Sequence, residues 1–225
     1  MSKNVFQTGP KGLDAEAILQ DGLELMEEIG PDSFSVRKLA AKIGCDPMAI
    51  LYHFKSKRGL ERAMADMLIT KIRHPEVGQP WRACLSDVAL QYRSLALDHP
   101  QSFPLLMRYW TTGPADFELM EIMFEALRKA NIGDDLAGKL VFGFYASILG
   151  LALAEVGGLL KPPAPDIVEE IRGLPDGAFP NVKALLRDVE QRGSDGAFRA
   201  AIDVMLDGIE AAGRQAWQAD GAQSL

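Results

Sequence analysis

The chain has 225 residues, 48% of them hydrophobic, and a formal net charge of −7. That is ample apolar material for a packed globular protein and excludes a disordered one, while the acidic balance at first argues against a nucleic-acid partner. Two cysteines, Cys45 and Cys84, build neither a disulfide framework nor a zinc ribbon, so a reducing cytoplasm is the expected location. The histidines His53, His74 and His99 do not fall at ligand spacing, so neither a metal nor a cofactor is expected.

Met1 to Asp14 is polar and lacks an apolar signal core. From Ala15 to Ile29 the apolar positions Ile18, Leu25, Met26 and Ile29 share one helix face, and Gly30-Pro31-Asp32 ends the helix. Ser35 is a good N-cap for a short second helix whose stripe is Val36, Leu39, Ala40 and Ile43. Gly44 closes it, and Asp46 with Pro47 opens a third helix that runs to about Phe54. A fourth is expected from Ser56 to about Arg73.

His74 to Pro80 contains two prolines and a glycine and reads as a joint. Helices are then expected at about 81–98, 101–109, 115–131, 135–156 and 196–217. Between the last two lies a Pro- and Gly-rich connection with room for short helices at 166–172 and 181–191. No strand-like alternation appears. The apolar run Leu140 to Ala154 is shorter than the ~20 residues that span a bilayer and reads as a buried helix, so no membrane is expected as a partner.

Two short helices around the tight turn Gly44-Cys45-Asp46-Pro47 are the sequence form of a helix-turn-helix. Local charge agrees. From Ser35 to Arg62 there are seven cations (Arg37, Lys38, Lys42, Lys55, Lys57, Arg58, Arg62) against Asp46 and Glu61, an excess of five in an acidic chain. Ile50 and Phe54 supply an inward face. Pro47, Met48, Leu51 and Tyr52 then point outward, with His53 to one side, where apolar contacts suit thymine methyls in the major groove.

The segments Phe34 to Gly44 and Ile50 to Leu60 resemble the DNA-binding domain of TetR-type repressors, over about Leu13 to Arg62. The resemblance implies that Arg37, beside Lys38, reaches a base or phosphate from the second helix. Pro47, Met48, Tyr52 and His53 would face DNA from the third. Lys57 would hold a phosphate with the N-terminal amides of the fourth. Family members usually carry a tyrosine where this chain has Leu51, and here the tyrosine comes one place later, so a different operator is expected. More faintly, Trp81, Asp98 to Pro100 and Thr111 to Pro114 resemble the regulatory domain of tetracycline repressors. At the place of their magnesium-binding histidine stands Tyr109, and Gly113 stands where they carry an arginine. A phenol is a poor magnesium ligand, so a drug–metal chelate is not the expected effector.

The expected architecture is all-α: an N-terminal three-helix domain with the helix-turn-helix at 1–62, and a larger helical ligand-binding and dimerisation domain at 63–225. The helix at 135–156 is apolar almost all round and needs cover on two sides. With Phe198, Ala201, Ile202, Met205 and Ile209 on the last helix, it is expected to form the interface of a homodimer. Phe103, Met107, Tyr109, Trp110, Met123 and Phe144, with Thr112 and Glu155 as polar anchors, are the candidate lining of a pocket for an apolar or aromatic effector. The chain shows no nucleophile motif, metal cluster or phosphate loop, so an enzyme is not expected. The functional expectation is a repressor released from double-stranded operator DNA by a small molecule. The alternative is a dimer of the same kind that answers to a protein partner.

Overall fold

The first four helix starts are each capped by a side chain. Asp14 accepts the Glu16 N–H, Ser35 Oγ that of Lys38 at 3.3 Å, Asp46 that of Met48 at 2.7 Å and Ser56 Oγ that of Gly59 at 3.0 Å. All four N-caps are extended, the conformation that aims a short side-chain oxygen at the helix's orphan amides. In this computed structural model, which describes residues 14–76, 78–175, 177–189 and 194–223, they open α1 (Ala15–Ile29), α2 (Val36–Ile43), α3 (Pro47–Phe54) and α4 (Lys57–Ile69). The polar N-terminal stretch Met1 to Leu13 lies outside the described residues.

There follow α5 (Trp81–Asp98), a 3-10 helix Phe103–Arg108, α6 (Pro114–Lys129), α7 (Asp134–Val156), α8 (Pro165–Arg172), α9 (Pro180–Val189) and α10 (Ser194–Gln223). The described residues contain no strand, and the expected all-α fold is found. Three elements differ from expectation: α10, expected over about 196–217, runs from Ser194 to Gln223. The fourth helix stops at Ile69, where the backbone tightens into i→i+3 turns through Ile72. The segment 101–109 is not α-helical: Phe103–Arg108 forms six residues of 3-10 helix with Pro104 in its first turn.

α5, α6, α7 and α10 pack on one another as a bundle, and α4 lies between that bundle and α1. One continuous core joins them, with Phe34, Met64, Leu68, Tyr92, Phe103, Ile148 and Phe198 among its most buried members. Each such side chain contributes about 1.5–3 kcal/mol of burial. α7 has 23 residues and is long and apolar enough to cross a membrane by length and composition. Here it packs along α5, α6 and α10, with an uncovered face that bears on assembly.

Candidate functional site

The helix-turn-helix is held by backbone chemistry at its two turns. Gly44 adopts φ 70° and ψ 36°, the left-handed C′ position that closes α2 without a Cβ clash. Its neighbour Cys45 donates its N–H to Ala40 O at 3.0 Å. After α3, Lys55 sits at φ 66° and turns the chain back at once, its N–H bonded to Leu51 O at 2.8 Å. Gly59 completes the second turn, where a Cβ would stand 2.1 Å from Phe54 O.

α3 buries Ile50 fully and Phe54 in part, as its pattern requires. The opposite side is open: Met48 is 68% exposed and Tyr52 61%. Pro47, Leu51 and His53 are half-buried, so Leu51 points less fully outward than expected. Arg37, Lys38 and Lys57 are exposed. Two of these lysines also brace the unit. Lys38 Nζ donates to Ser33 O at 2.9 Å; Lys57 Nζ donates to Phe34 O at 3.2 Å and pairs with Glu61 at 3.4 Å. Lys55 Nζ lies 5.2 Å from the centre of the Tyr52 ring, placing a cation beside the exposed aromatic.

The eight residues expected to line one pocket are not brought together. Phe103, Met123 and Phe144 are buried in the core, and the gap between Met123 and Phe144 has no room for a water molecule. Met107 and Trp110 face outward, Trp110 stacked on Phe142 with ring centres 5.1 Å apart. Glu155 is no free anchor: it forms a two-pronged pair with Arg93, at 2.6 and 2.5 Å, and ties α7 to α5. Tyr109 donates its hydroxyl to Arg58 O at 3.2 Å under the Arg58 guanidinium, and burial raises its phenol above the usual range. Only Thr112 faces a large cleft, of about 740 Å³, between α1, α4 and the start of α6.

That cleft lies where the DNA-reading helices meet the bundle, along a strip of polar contacts. At the start of the 3-10 helix, Glu27 of α1 accepts the N–H groups of Gln101 (3.0 Å) and Ser102 (2.9 Å), and the Ser102 hydroxyl. Arg108 pairs with Glu61 of α4 at 3.6 Å, and Arg62 Nε donates to Thr111 O at 3.1 Å. Asp66 Oδ1 accepts from Thr112 Oγ1 at 3.1 Å and from Asp116 N–H at 3.4 Å. Glu27, Glu61, Asp66 and Asp116 were not among the sequence candidates. Their partners lie far away along the chain, and no periodicity marks them.

The assembly surface also differs from expectation. Phe198, Ile202 and Ile209 are buried in the chain's own core, so they do not form the outward stripe of α10. The outward residues are Val204 (70% exposed), half-buried Met205 and Gly208. Met205 and Gly208 share a hollow of about 450 Å³ with Gly143 and Ser147 of α7, and Ala146 and Gly150 are further small, exposed residues of that helix. Among the described residues no three His, Cys, Asp or Glu side chains come together as metal ligands.

Known proteins share this layout. Residues 18–64 match the profile of bacterial regulatory proteins of the tetR family, and residues 74–212 that of the tetracyclin repressor-like C-terminal domain. The chain is 27% identical over 208 residues to the class G tetracycline repressor protein of Vibrio anguillarum, covering 88% of this chain and 94% of that protein. It is 25% identical over 210 residues to the class C tetracycline repressor protein of Escherichia coli, covering 88% and 91%. Among solved structures, apo ActR from Streptomyces coelicolor has a TM-score of 0.79 at 21% identity, over 91% of this chain and 98% of that one. ActR in complex with actinorhodin has a TM-score of 0.77 at 21% identity, over 89% and 98%. At that identity the likeness is one of fold.

Proposed function

Because the chain belongs to the TetR family of bacterial regulatory proteins, we propose that it is a homodimeric repressor that grips double-stranded operator DNA through α2 and α3 and lets go when a small organic molecule binds. The observation that carries this reading is α3 itself. A soluble helix that leaves Met48 and Tyr52 open to solvent beside Arg37 and Lys57 is poorly explained except as a surface for a groove of DNA. In this reading residues 1–62 form the DNA-binding domain and 63–225 the regulatory and dimerising one, and the protein works in the cytoplasm.

The second partner is a copy of the same chain, seated on the Val204 side of α10 and the Gly143 to Gly150 side of α7. Small residues there let helices approach closely, and a monomer would leave this apolar area to water. The filled space around Met123 and Phe144 favours control by a protein partner. The 740 Å³ cleft favours control by a small molecule, since it has the size of a ligand site. The class G and class C relatives are named tetracycline repressor proteins, and ActR, alike in fold, is seen in complex with actinorhodin, which supports the second choice.

The test is a salt titration of operator binding. Lys57→Ala should weaken binding to operator and random duplex alike and flatten the salt dependence by about one phosphate contact. Arg37→Ala should cost the operator more than random DNA. Unchanged affinity and salt slope in both variants would remove α2 to α4 from the DNA surface.

A further inference from the structure

The helix proposed to enter DNA is short of polar side chains, and that decides which bases it can tell apart. Sequence is read in the major groove by hydrogen bonds to base edges and by apolar contact with the thymine methyl group. Arginine and lysine suit guanine, asparagine and glutamine suit adenine, and aspartate and glutamate suit cytosine. α3, with the sequence PMAILYHF, carries none of these.

The polar groups around it are engaged within the protein. Asp46 accepts the Met48 N–H at 2.7 Å as the N-cap. Lys55, at the other end, donates its ammonium to Tyr52 O at 3.1 Å. His53 is half-buried, its ring centre 6.0 Å from that of Tyr52 and 6.0 Å from that of Phe54. What α3 leaves open is Met48 and Tyr52. They are four residues apart, so they stand side by side on one face. The Tyr52 hydroxyl is the single polar side-chain group on that face, and the Met48 thioether is flexible enough to follow the surface it meets.

An apolar side chain pressed onto the edge of guanine, adenine or cytosine takes water from a donor or acceptor and replaces it with nothing, which is unfavourable. Against the thymine methyl the same contact removes two apolar surfaces from water. Resting on the reading that α3 enters the major groove, we infer that the protein recognises its operator through thymine methyl groups seated against Met48 and Tyr52. The methyl group itself, not the hydrogen-bonding edge of the base, is what α3 discriminates. Guanine readout falls to Arg37, exposed near the start of α2. It follows that 5-methylcytosine, which carries a methyl group at the same ring position, can stand in for thymine where cytosine and uracil cannot.

The test uses the full-length protein and a duplex that it selects from a random pool. Each thymine of a half-site is replaced in turn by deoxyuridine, which lacks only the methyl group, and by cytosine with and without its 5-methyl group. Affinity is read by fluorescence anisotropy. At the thymines that meet Met48 and Tyr52, deoxyuridine should weaken binding about three- to fourfold, the effect of burying one methyl carbon. There 5-methylcytosine should bind better than cytosine by a similar factor. A methyl group also alters the stiffness of the duplex, so protein variants separate contact from shape. Met48→Ala should erase the methyl effect at one of these positions, and Tyr52→Phe should keep it at all of them. Both side chains are exposed, and circular dichroism checks that the variants fold. Uracil bound as tightly as thymine at every position, a methyl effect that Met48→Ala leaves unchanged throughout, or one that Tyr52→Phe abolishes would overturn the inference. A protein that selects no duplex overturns the DNA-binding reading and this inference with it, whereas a selected duplex without a methyl effect overturns this inference alone.

Discussion

A single methyl group added at Gly59 should disconnect the recognition helix from the rest of the chain. In Gly59→Ala the new Cβ would lie 2.1 Å from Phe54 O, so that carbonyl or the start of α4 has to move by about 1 Å to reach ordinary contact. Phe54 O also accepts the Ser56 N–H at 2.8 Å, and Ser56 Oγ caps α4 through Gly59 N–H at 3.0 Å, so the shift strains both bonds. Overpacking of this kind costs about 1–3 kcal/mol and a weakened cap about 1. The better helix propensity of alanine returns up to about 1 kcal/mol. The net loss is roughly 1–3 kcal/mol, which for a chain of this size lowers Tm by about 2–4 °C per kcal/mol. Because the displaced atoms end α3, operator affinity should fall at least about tenfold, the equivalent of one good base contact, while the bundle stays folded. Gly138→Ala, with nothing within 4 Å of its Cβ, is the control and should leave both quantities unchanged or slightly raise Tm. Calorimetric melting and fluorescence anisotropy on operator duplex measure the pair. A Gly59→Ala protein with native Tm and native affinity would refute the reasoning.

Two further substitutions separate folding from assembly: Ile202→Glu places a charge at a site 3% exposed within the chain and should unfold it, whereas Val204→Arg, at 70% exposure, should yield a folded monomer by light scattering and circular dichroism. A folded dimer in either variant would contradict the assigned faces. Burial, with Asp66 adding to it, raises the Asp116 carboxyl above its usual range against the opposing Thr112 N–H, the Thr111 side chain and Arg62, so the native state holds that proton more tightly than the unfolded chain. The stability it contributes is complete below the unfolded carboxyl range and is lost as pH rises through the raised value. The Tm of Asp116→Asn relative to wild type should therefore climb as pH rises above the ordinary carboxyl range, and a pH-independent difference would show that the carboxylate is not strained.

What could be read from the sequence was what local chemistry decides. Ser35, Asp46, Ser56 and Gly44 announced their caps, and each is observed in that role because capping depends on a few adjacent atoms. The exposed Met48 and Tyr52 were legible because Ile50 and Phe54 spend the one face that a short helix can bury. The misread parts depend on distant partners. The stripe Phe198, Ile202, Ile209 has a helix's periodicity whichever neighbour covers it, and periodicity cannot distinguish the chain's own core from a second copy. Glu155 looked like a free anchor because Arg93, on another helix, is invisible from its neighbourhood. The strip that links Glu27 to Ser102 and Asp66 to Thr112 joins residues 75 and 46 positions apart, beyond the reach of any local pattern.

The central claim, a dimer that reads DNA with two copies of α3, is tested most directly by selecting duplexes from a random pool on the immobilised full-length protein and sequencing them. The account predicts one enriched site with two inverted half-sites whose centres lie about 34–36 Å apart, one turn of the double helix, lost when Arg37 and Tyr52 are replaced by alanine. A pool that shows no enrichment, or a single unpaired half-site, would contradict it.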